Sequence, residues 1–266
     1  MSEECMPEAV LSEAKIKAGL KTEVFGKSVL VLKEIDSTNN YAKRLAAEGT
    51  GEGMVVVADH QTAGKGRLGR SFFSPGEKGI YMSIVLRPKM ELKKSTLITS
   101  MAAVAVARAI ENLSGVEAKI KWVNDVYLNG KKVSGILTEA AVDSENGCLS
   151  YAVLGIGVNV GVMEFPEELK AIATSVNNEA ARQVEREALI AEILNEVETL
   201  YTTMETGEFL KESRSRSLVI GKEIKVVDTD HSCPAKAIAI DEAGQLVVET
   251  SGGRQTLHSG EVSVRL

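Results

Sequence analysis

The stretch Gln61-Thr-Ala-Gly64-Lys65-Gly66-Arg67-Leu68-Gly69-Arg70-Ser71 restricts the fold more than any other segment of this chain. It carries the cations Lys65, Arg67 and Arg70 among glycines, contains no acid, and is set between two apolar runs, Met54–Val57 and Ile80–Leu86. Glycine lets a backbone approach a ligand closely or adopt positive φ, and guanidinium and ammonium groups attract phosphate oxygens. Two buried strands would give such a loop a rigid mount. Scattered cations alone describe a solvated surface turn. Their alternation with glycine between apolar strands favours a clamp for a polyphosphate or an acyl phosphate.

Gly64-x-Gly66-x-x-Gly69 formally matches the dinucleotide fingerprint, which requires the last glycine to open a helix. Arg70-Ser-Phe-Phe-Ser-Pro75-Gly76 follows instead, and Arg87-Pro88 stands near the place where an acid should end the second strand. No V-A-I-K-type strand follows, so a kinase glycine loop is excluded as well.

Length sets the scale. The chain has 266 residues, enough for one large domain and a small one. A net charge of −6 argues against a general nucleic-acid binder and makes the basic loop a local feature. Cys5, Cys148 and Cys233 are far apart, and His60, His231 and His258 do not cluster. This pattern fits a reducing compartment and offers neither a disulfide framework nor a protein-held metal. With no signal peptide and no continuous apolar run approaching a membrane span, a cytoplasmic protein without membrane contact is expected.

Residues 1–26 read as a short leader. Val29–Leu32 is a strand, Asp36-Ser37-Thr38-Asn39 starts a helix over Tyr41–Glu48, and strands follow at about 54–60 and 79–87. Ser37 and Thr38 are as well suited to capping as to holding a ligand. Ser95–Leu113 has apolar residues at spacings of three and four, with Gly115 as its stop. Ala118–Trp122 is a strand, and Asn129-Gly130 turns a hairpin into Lys131–Leu137. The strand Leu149–Val160 contains Gly155-Ile-Gly157-Val-Asn159, where glycine marks either a bulge or a close approach. A long amphipathic helix over Leu189–Met204 precedes short strands from Leu218 onwards that read as a small β-barrel.

A second basic group, Lys121-Trp-Val-Asn124-Asp125 with Lys131-Lys132, brackets the hairpin. Lysine beside buried Trp and Val is useful opposite a carboxylate or phosphoryl group that gains charge. An edge strand guarded by exposed lysines is the plainer alternative. Alternation puts Lys131 and Lys132 on opposite faces without saying which one points inward.

Taken together, five blocks resemble the biotin–protein ligase (biotin–acetyl-CoA-carboxylase ligase) family from about Lys27 to Leu266. They are Asp36–Asn39, Gln61–Arg70 with Phe73-Ser-Pro75, Lys121–Asp125, Lys132–Ile136 and Gly155–Asn159. Lys65 stands where the family usually has the first Arg of its G-R-G-R loop, and Val123 replaces the Pro of its K-W-P-N-D block. Lys keeps the charge but loses the guanidinium fork.

The resemblance implies two steps, with biotin and ATP as substrates and Mg2+ carried by ATP. Biotin is activated as biotinyl-5′-adenylate, then transferred to a lysine of a biotin carboxyl carrier protein. By the same resemblance, Ser37, Thr38, Asn39 and Gln61, with Gly64, Lys65, Arg67, Lys132, Gly135 and Gly155, would hold biotin. Lys65, Arg67 and Arg70 would close over the phosphates. Lys132, Arg67 and Lys121 would be catalytic, with Lys132 drawing the biotin carboxylate and the ATP phosphate together. Phe72, Asn124 and Asn159 would meet the adenylate or its phosphate, and Asp125 would orient the carrier lysine. The implied fold is α+β: a mixed central sheet with helices mainly on one side (class II synthetase-like), spanning 27–217, and a Src-homology-3-like barrel over 218–266. Relatives that repress biotin genes carry an N-terminal winged helix-turn-helix. About 24 residues precede Phe25, so specific DNA binding is not expected. A homodimer through an edge strand is compatible with the family. The competing readings are a lipoate–protein ligase or octanoyltransferase, a non-catalytic biotin sensor, and a generic nucleotide-binding regulator.

Overall fold

In Val55-Val56-Val57 a strand must turn its middle side chain away from its neighbours, and all three are fully buried. A sheet covered on both faces follows. The computed structural model describes residues 11–143, 145, 147–227, 232–258 and 263–265. Residues 1–10 of the expected leader, with Cys5, and also His231 and Val262, lie outside the described residues.

The strands of the central sheet are β1 (Val29–Ile35), β2 (Val55–Gln61), β3 (Gly79–Leu86), β4 (Ala118–Lys121), β5 (Asp125–Leu128), β6 (Lys131–Val142) and β7 (Leu149–Asn159). Their order is β1-β2-β3-β7-β6-β5-β4. β1 and β2 run parallel, with Val29 opposite Val55, and the other neighbours are antiparallel. The helices are α1 (Glu13–Ala18), α2 (Thr38–Ala47), α3 (Thr96–Ser114), α4 (Glu167–Lys170), α5 (Val176–Glu179), α6 (Arg186–Thr202) and α7 (Phe209–Ser215).

Val55, Val57, Ile80, Met82, Leu154 and Ile156 enter the main core with the apolar residues of α3 and α6. On the opposite face α2 sets Ala42 and Ala46 against Val56, Val85 and Val153. The sheet is therefore mixed, with helices mainly on one side. α2 is only 10 residues long, so it covers part of its face and leaves a floor around Gly135, Gly155 and Gly157. By length and composition α3 could cross a membrane, yet 78% of its apolar window is buried inside the protein. It ends on Gly115 at φ 74°, the left-handed stop expected there. Asn129 and Gly130 have φ of 48° and 80°, as a two-residue hairpin turn requires.

The described part of the expected leader belongs to the main body. Leu11, Ile16 and Phe25 are buried in its core. The Glu198 carboxylate on α6 accepts the backbone amides of Glu23, Val24 and Phe25 at 2.5, 2.9 and 2.7 Å.

The C-terminal sheet comprises β8 (Glu223–Val227), β9 (Ser232–Ile240), β10 (Leu246–Thr250), β11 (Gly253–Leu257) and β12 (Ser263–Arg265). The expected barrel requires correction. The order β11-β10-β9-β8-β12 is that of an open antiparallel sheet, with no pairing between its marginal strands among the described residues. A barrel has no edges; this sheet keeps two. β11 also escapes sequence reading, because it follows Ser251-Gly-Gly, has polar Arg-Gln-Thr at its centre, and buries only Leu257.

Candidate functional site

The loop after β2 closes on itself before it meets the sheet. Phe72 N–H donates to Gly64 O at 3.0 Å and Gly66 N–H to Arg70 O at 2.7 Å. Leu68 and Gly69 make the tip at φ of 54° and 71°. This hairpin lowers Phe72 onto the uncovered floor. A Cβ at Gly157 would lie 2.7 Å from the Phe72 ring, and one at Gly135 would lie 3.2 Å from it. A Cβ at Gly155 would stand 2.1 Å from Asn39 Oδ1. Close approach, not a bulge, is what the glycines of β7 serve.

Two cavities meet under the loop. The neutral one is lined by Ser37, Thr38, Asn39, Gln61, Tyr81 and Gly155. Gln61 Oε1 accepts from Thr38 N–H at 2.9 Å and Thr38 Oγ1 at 3.1 Å. Ser83 Oγ lies 2.8 Å from Thr38 Oγ1 and 2.6 Å from Asn39 Oδ1. Asn39 Nδ2 donates to Glu139 at 2.9 Å, and Lys43 pairs with the other oxygen of that carboxylate at 2.6 Å. Burial pushes the Glu139 carboxyl up, but the bonds from Lys43 and Asn39 outweigh it and hold it below its ordinary value. Ser37 occupies the N-cap of α2, yet its side chain makes no capping bond. Ser37 and Thr38 are 1% and 3% exposed.

The second cavity, about 120 Å³, is lined by Lys65, Arg67, Arg70, Lys121, Lys132, Asn124 and Asp125. Arg67 Nη1 donates to Asn124 Oδ1 at 3.0 Å. Lys132 Nζ pairs with Asp125 Oδ1 at 2.6 Å, and Asn124 Nδ2 donates to the same oxygen at 2.9 Å. Burial draws Arg67 below its usual value, against the pull of Asp125. Lys65 Nζ donates to Asn40 Oδ1 at 2.7 Å. The two cavities share Lys65, Phe72, Gly135 and Leu137 in their walls.

Of the two adjacent lysines, Lys132 faces in. Lys131 Nζ donates outside the cavity, to Lys170 O at 3.3 Å. The deciding feature is a register shift: Val126 pairs with Ser134 while Tyr127 pairs with Lys132. The extra residue, Val133, resets the alternation, so Lys132 and Gly135 line one cavity.

Beyond Phe72 lies a larger, more apolar cavity of about 460 Å³, walled by Phe73, Phe165, Leu169, Ile172 and Asn159. Asn159 Nδ2 donates to Thr174 O at 3.0 Å. Its Oδ1 is buried with no partner among the described residues, an acceptor able to take a donor. Among the described residues, no group of three or more His, Cys, Asp or Glu is placed to hold a metal ion.

The pattern of the "Biotin/lipoate A/B protein ligase family" matches residues 31–159, and that of the "Biotin protein ligase C terminal domain" matches 219–265. The chain is 38% identical over 259 residues to the bifunctional ligase/repressor BirA of Bacillus subtilis, covering 96% of this chain and 79% of that protein. The chain belongs to the biotin protein ligase family. The biotin–[acetyl-CoA-carboxylase] ligase of Paracoccus denitrificans is 31% identical, with 87% of this chain and 98% of that protein covered. The solved biotin protein ligase from Aquifex aeolicus, in complex with biotin and ATP, superimposes with a TM-score of 0.75 at 32% identity, covering 90% of this chain and 99% of that one. This biotin ligase is thus an enzyme whose predicted residues come together under one loop.

Sequence reading gave no site role to Ser83, Tyr81, Glu139 or Ser74, and marked Gly157 as a close approach or a bulge without assigning it to a ligand. Ser83 and Tyr81 had a signal, for they alternate with Ile80, Met82 and Ile84 on β3 and so share the ligand face. Ser74, whose Oγ lies 3.3 Å from Gln61 Nε2, stood inside the Phe73-Ser-Pro75 block without a role of its own, and Glu139 had no signal.

Proposed function

We propose that this biotin ligase activates biotin with ATP as biotinyl-5′-adenylate and transfers it to a lysine of a biotin carboxyl carrier protein, as part of acetyl-CoA carboxylase or a related enzyme. One observation carries the reading: a neutral hydrogen-bonding cavity opens into a cationic one across Lys65, Phe72, Gly135 and Leu137. That shape suits an acid with a neutral polar head at one end and a carboxylate at the other, where phosphate waits.

Ser37, Thr38, Asn39 and Gln61 bond the head group, a buried polar unit that needs its partners. Gly64, Gly135 and Gly155 let it lie against the backbone. The carboxylate oxygen attacks the α-phosphorus of ATP and pyrophosphate leaves. Lys132 and Lys121 offset the repulsion between the two anions and stabilise the charge that builds on the phosphoryl oxygens. Lys65, Arg67 and Arg70 close over the phosphates and keep water from the mixed anhydride. Phe72 moves from the glycine floor to cover the adenylate, and the unpartnered Oδ1 of Asn159 accepts from the adenine amino group. Mg2+ would come bound to ATP, where it would neutralise phosphate charge; Asn124 would offer it an oxygen of the hard type that ion takes. In the second step the carrier lysine, as a free amine, attacks the carbonyl carbon and AMP leaves. Asp125, released from Lys132 as the anions arrive, orients that amine.

Biotin-dependent exchange of labelled pyrophosphate into ATP tests this, with lipoate and octanoate as parallel acids. Exchange with biotin alone is expected. Exchange with lipoate instead would move the chain to the sister activity, and binding of biotin without exchange would make it a sensor.

A further inference from the structure

The phosphate-side segment Lys121–Asp125, with the strand β4 that leads into it, is held at two places, by the chain entering the C-terminal sheet and by a turn of that sheet. At the first, the chain entering that sheet zips along β4: Ile120 N–H donates to Arg216 O at 2.9 Å and Leu218 N–H to Ile120 O at 2.8 Å. At the second, the indole N–H of Trp122 donates to Gly244 O at 2.9 Å, a buried bond between residues 122 apart in sequence. Trp122 is 5% exposed and lines the cationic cavity between Lys121 and Asn124.

The acceptor is rigidly built. Gly244 closes the β9–β10 turn at φ 75°, against Ser100 and Leu97 of α3. Asp241 Oδ1 accepts the amides of Ala243 and Gln245 at 2.9 and 2.8 Å. Arg214 on α7 donates to Ile240 O at 2.8 Å and Asp241 O at 3.2 Å. No atom of this turn is among the residues that wall the cavity.

We propose that the β9–β10 turn of the C-terminal sheet is a positioning element for ATP, acting through the Trp122–Gly244 bond to set Lys121 and Asn124. Trp122 and Asp241 are then positioning residues: one carries the bond and the other shapes the turn that receives it. The inference rests on the assignment of Lys121 and Asn124 to the phosphate side.

Steady-state pyrophosphate exchange on the full chain, with ATP and biotin varied separately, tests it. Trp122→Phe keeps the ring and loses the donor; Asp241→Ala loosens the turn without touching the cavity. Losing one buried hydrogen bond corresponds to about a fivefold change in an equilibrium. Each variant should raise KM for ATP by about that factor and leave KM for biotin within about twofold. The double variant should be no worse than the worse single one, because both act on one link. Trp122 is the only tryptophan of the chain, so its emission should shift to longer wavelength in Asp241→Ala as the indole loosens. Asn124→Ala is the control for the underlying assignment. If it raises KM for ATP while Trp122→Phe and Asp241→Ala do not, the proposal fails and the assignment stands. If Asn124→Ala leaves KM for ATP unchanged, both fall. Equal rises of both KM values with a lowered melting temperature would reduce the link to a structural brace and overturn the proposal.

Discussion

The two faces of the central sheet are made by the same strands and do opposite work. Toward α3 and α6, Ile80, Met82, Leu154 and Ile156 present branched or long apolar chains and are almost entirely buried. Toward α2, the alternate residues are Tyr81, Ser83, Gly155 and Gly157. The first face gains stability by close packing. The second gives up that packing, and the small or polar side chains leave a floor where a ring or a ligand can lie. A strand alternating between the two kinds of residue serves the core and the site together, so the faces should fail separately when mutated.

The largest separation is expected at Lys132. Lys132→Ala should lower the rate of adenylate formation about 100- to 1,000-fold, the scale for losing a preorganised charge-stabilising group, with the melting temperature nearly unchanged. Single-turnover formation of biotinyl-adenylate, together with a thermal melt, measures both. Gly155→Ala comes next. Its added carbon collides with Asn39, whose amide is tied to Ser83 and Glu139, so biotin turnover should fall about 100-fold, as for a displacement near 1 Å. Titration of biotin by calorimetry would check it, and unchanged affinity would remove the close-approach role of this glycine.

The core face should respond in the opposite sense. Ile80→Val, one residue from Tyr81 but packed in the main core, should cost about 0.5–1.5 kcal/mol of stability while leaving kcat per folded molecule intact; denaturant unfolding measures the first and initial rates the second. A change of similar size removes a charge from that side. Burial raises the Glu198 carboxyl, but the amides of Phe25, Glu23 and Val24 outweigh it and hold it below its ordinary 4.5. Because the folded value lies below the unfolded one, its stabilisation is complete above pH 4.5 and is lost as the pH falls through the folded value. Glu198→Gln should cost about 1 kcal/mol at neutral pH. Below pH 4.5 the gap between wild type and variant should narrow, which unfolding curves at several pH values would reveal.

Much of this division can be read in the chain. The helix over Thr96–Ser114, the Asn129-Gly130 hairpin and the paired glycines of β7 follow from local pattern. So does the grouping of Lys65, Arg67 and Arg70 on one loop. The neutral end was legible as residue types but not as a network. Ser83 joins Thr38 and Asn39 across 45 and 44 residues, and no nearby sequence marks such a bond. The barrel expected at the C-terminus had every strand of the sheet but β11, and closure depends on how its margins meet, which strand propensity does not encode.

Local patterns determined the elements of this protein, the cationic loop between two buried strands, and the small residues that keep one face open. They act over a few residues and obey fixed periods. Tertiary structure decided that Lys132 and not Lys131 faces the phosphate side, because a bulge at Val133 resets a period of two. It decided that Ser37 is free of capping duty and that Phe72 rests on the glycine floor. It also placed the only tryptophan between the cavity and a turn 122 residues away. Those outcomes depend on which distant segments share space, and distance along the chain does not record that.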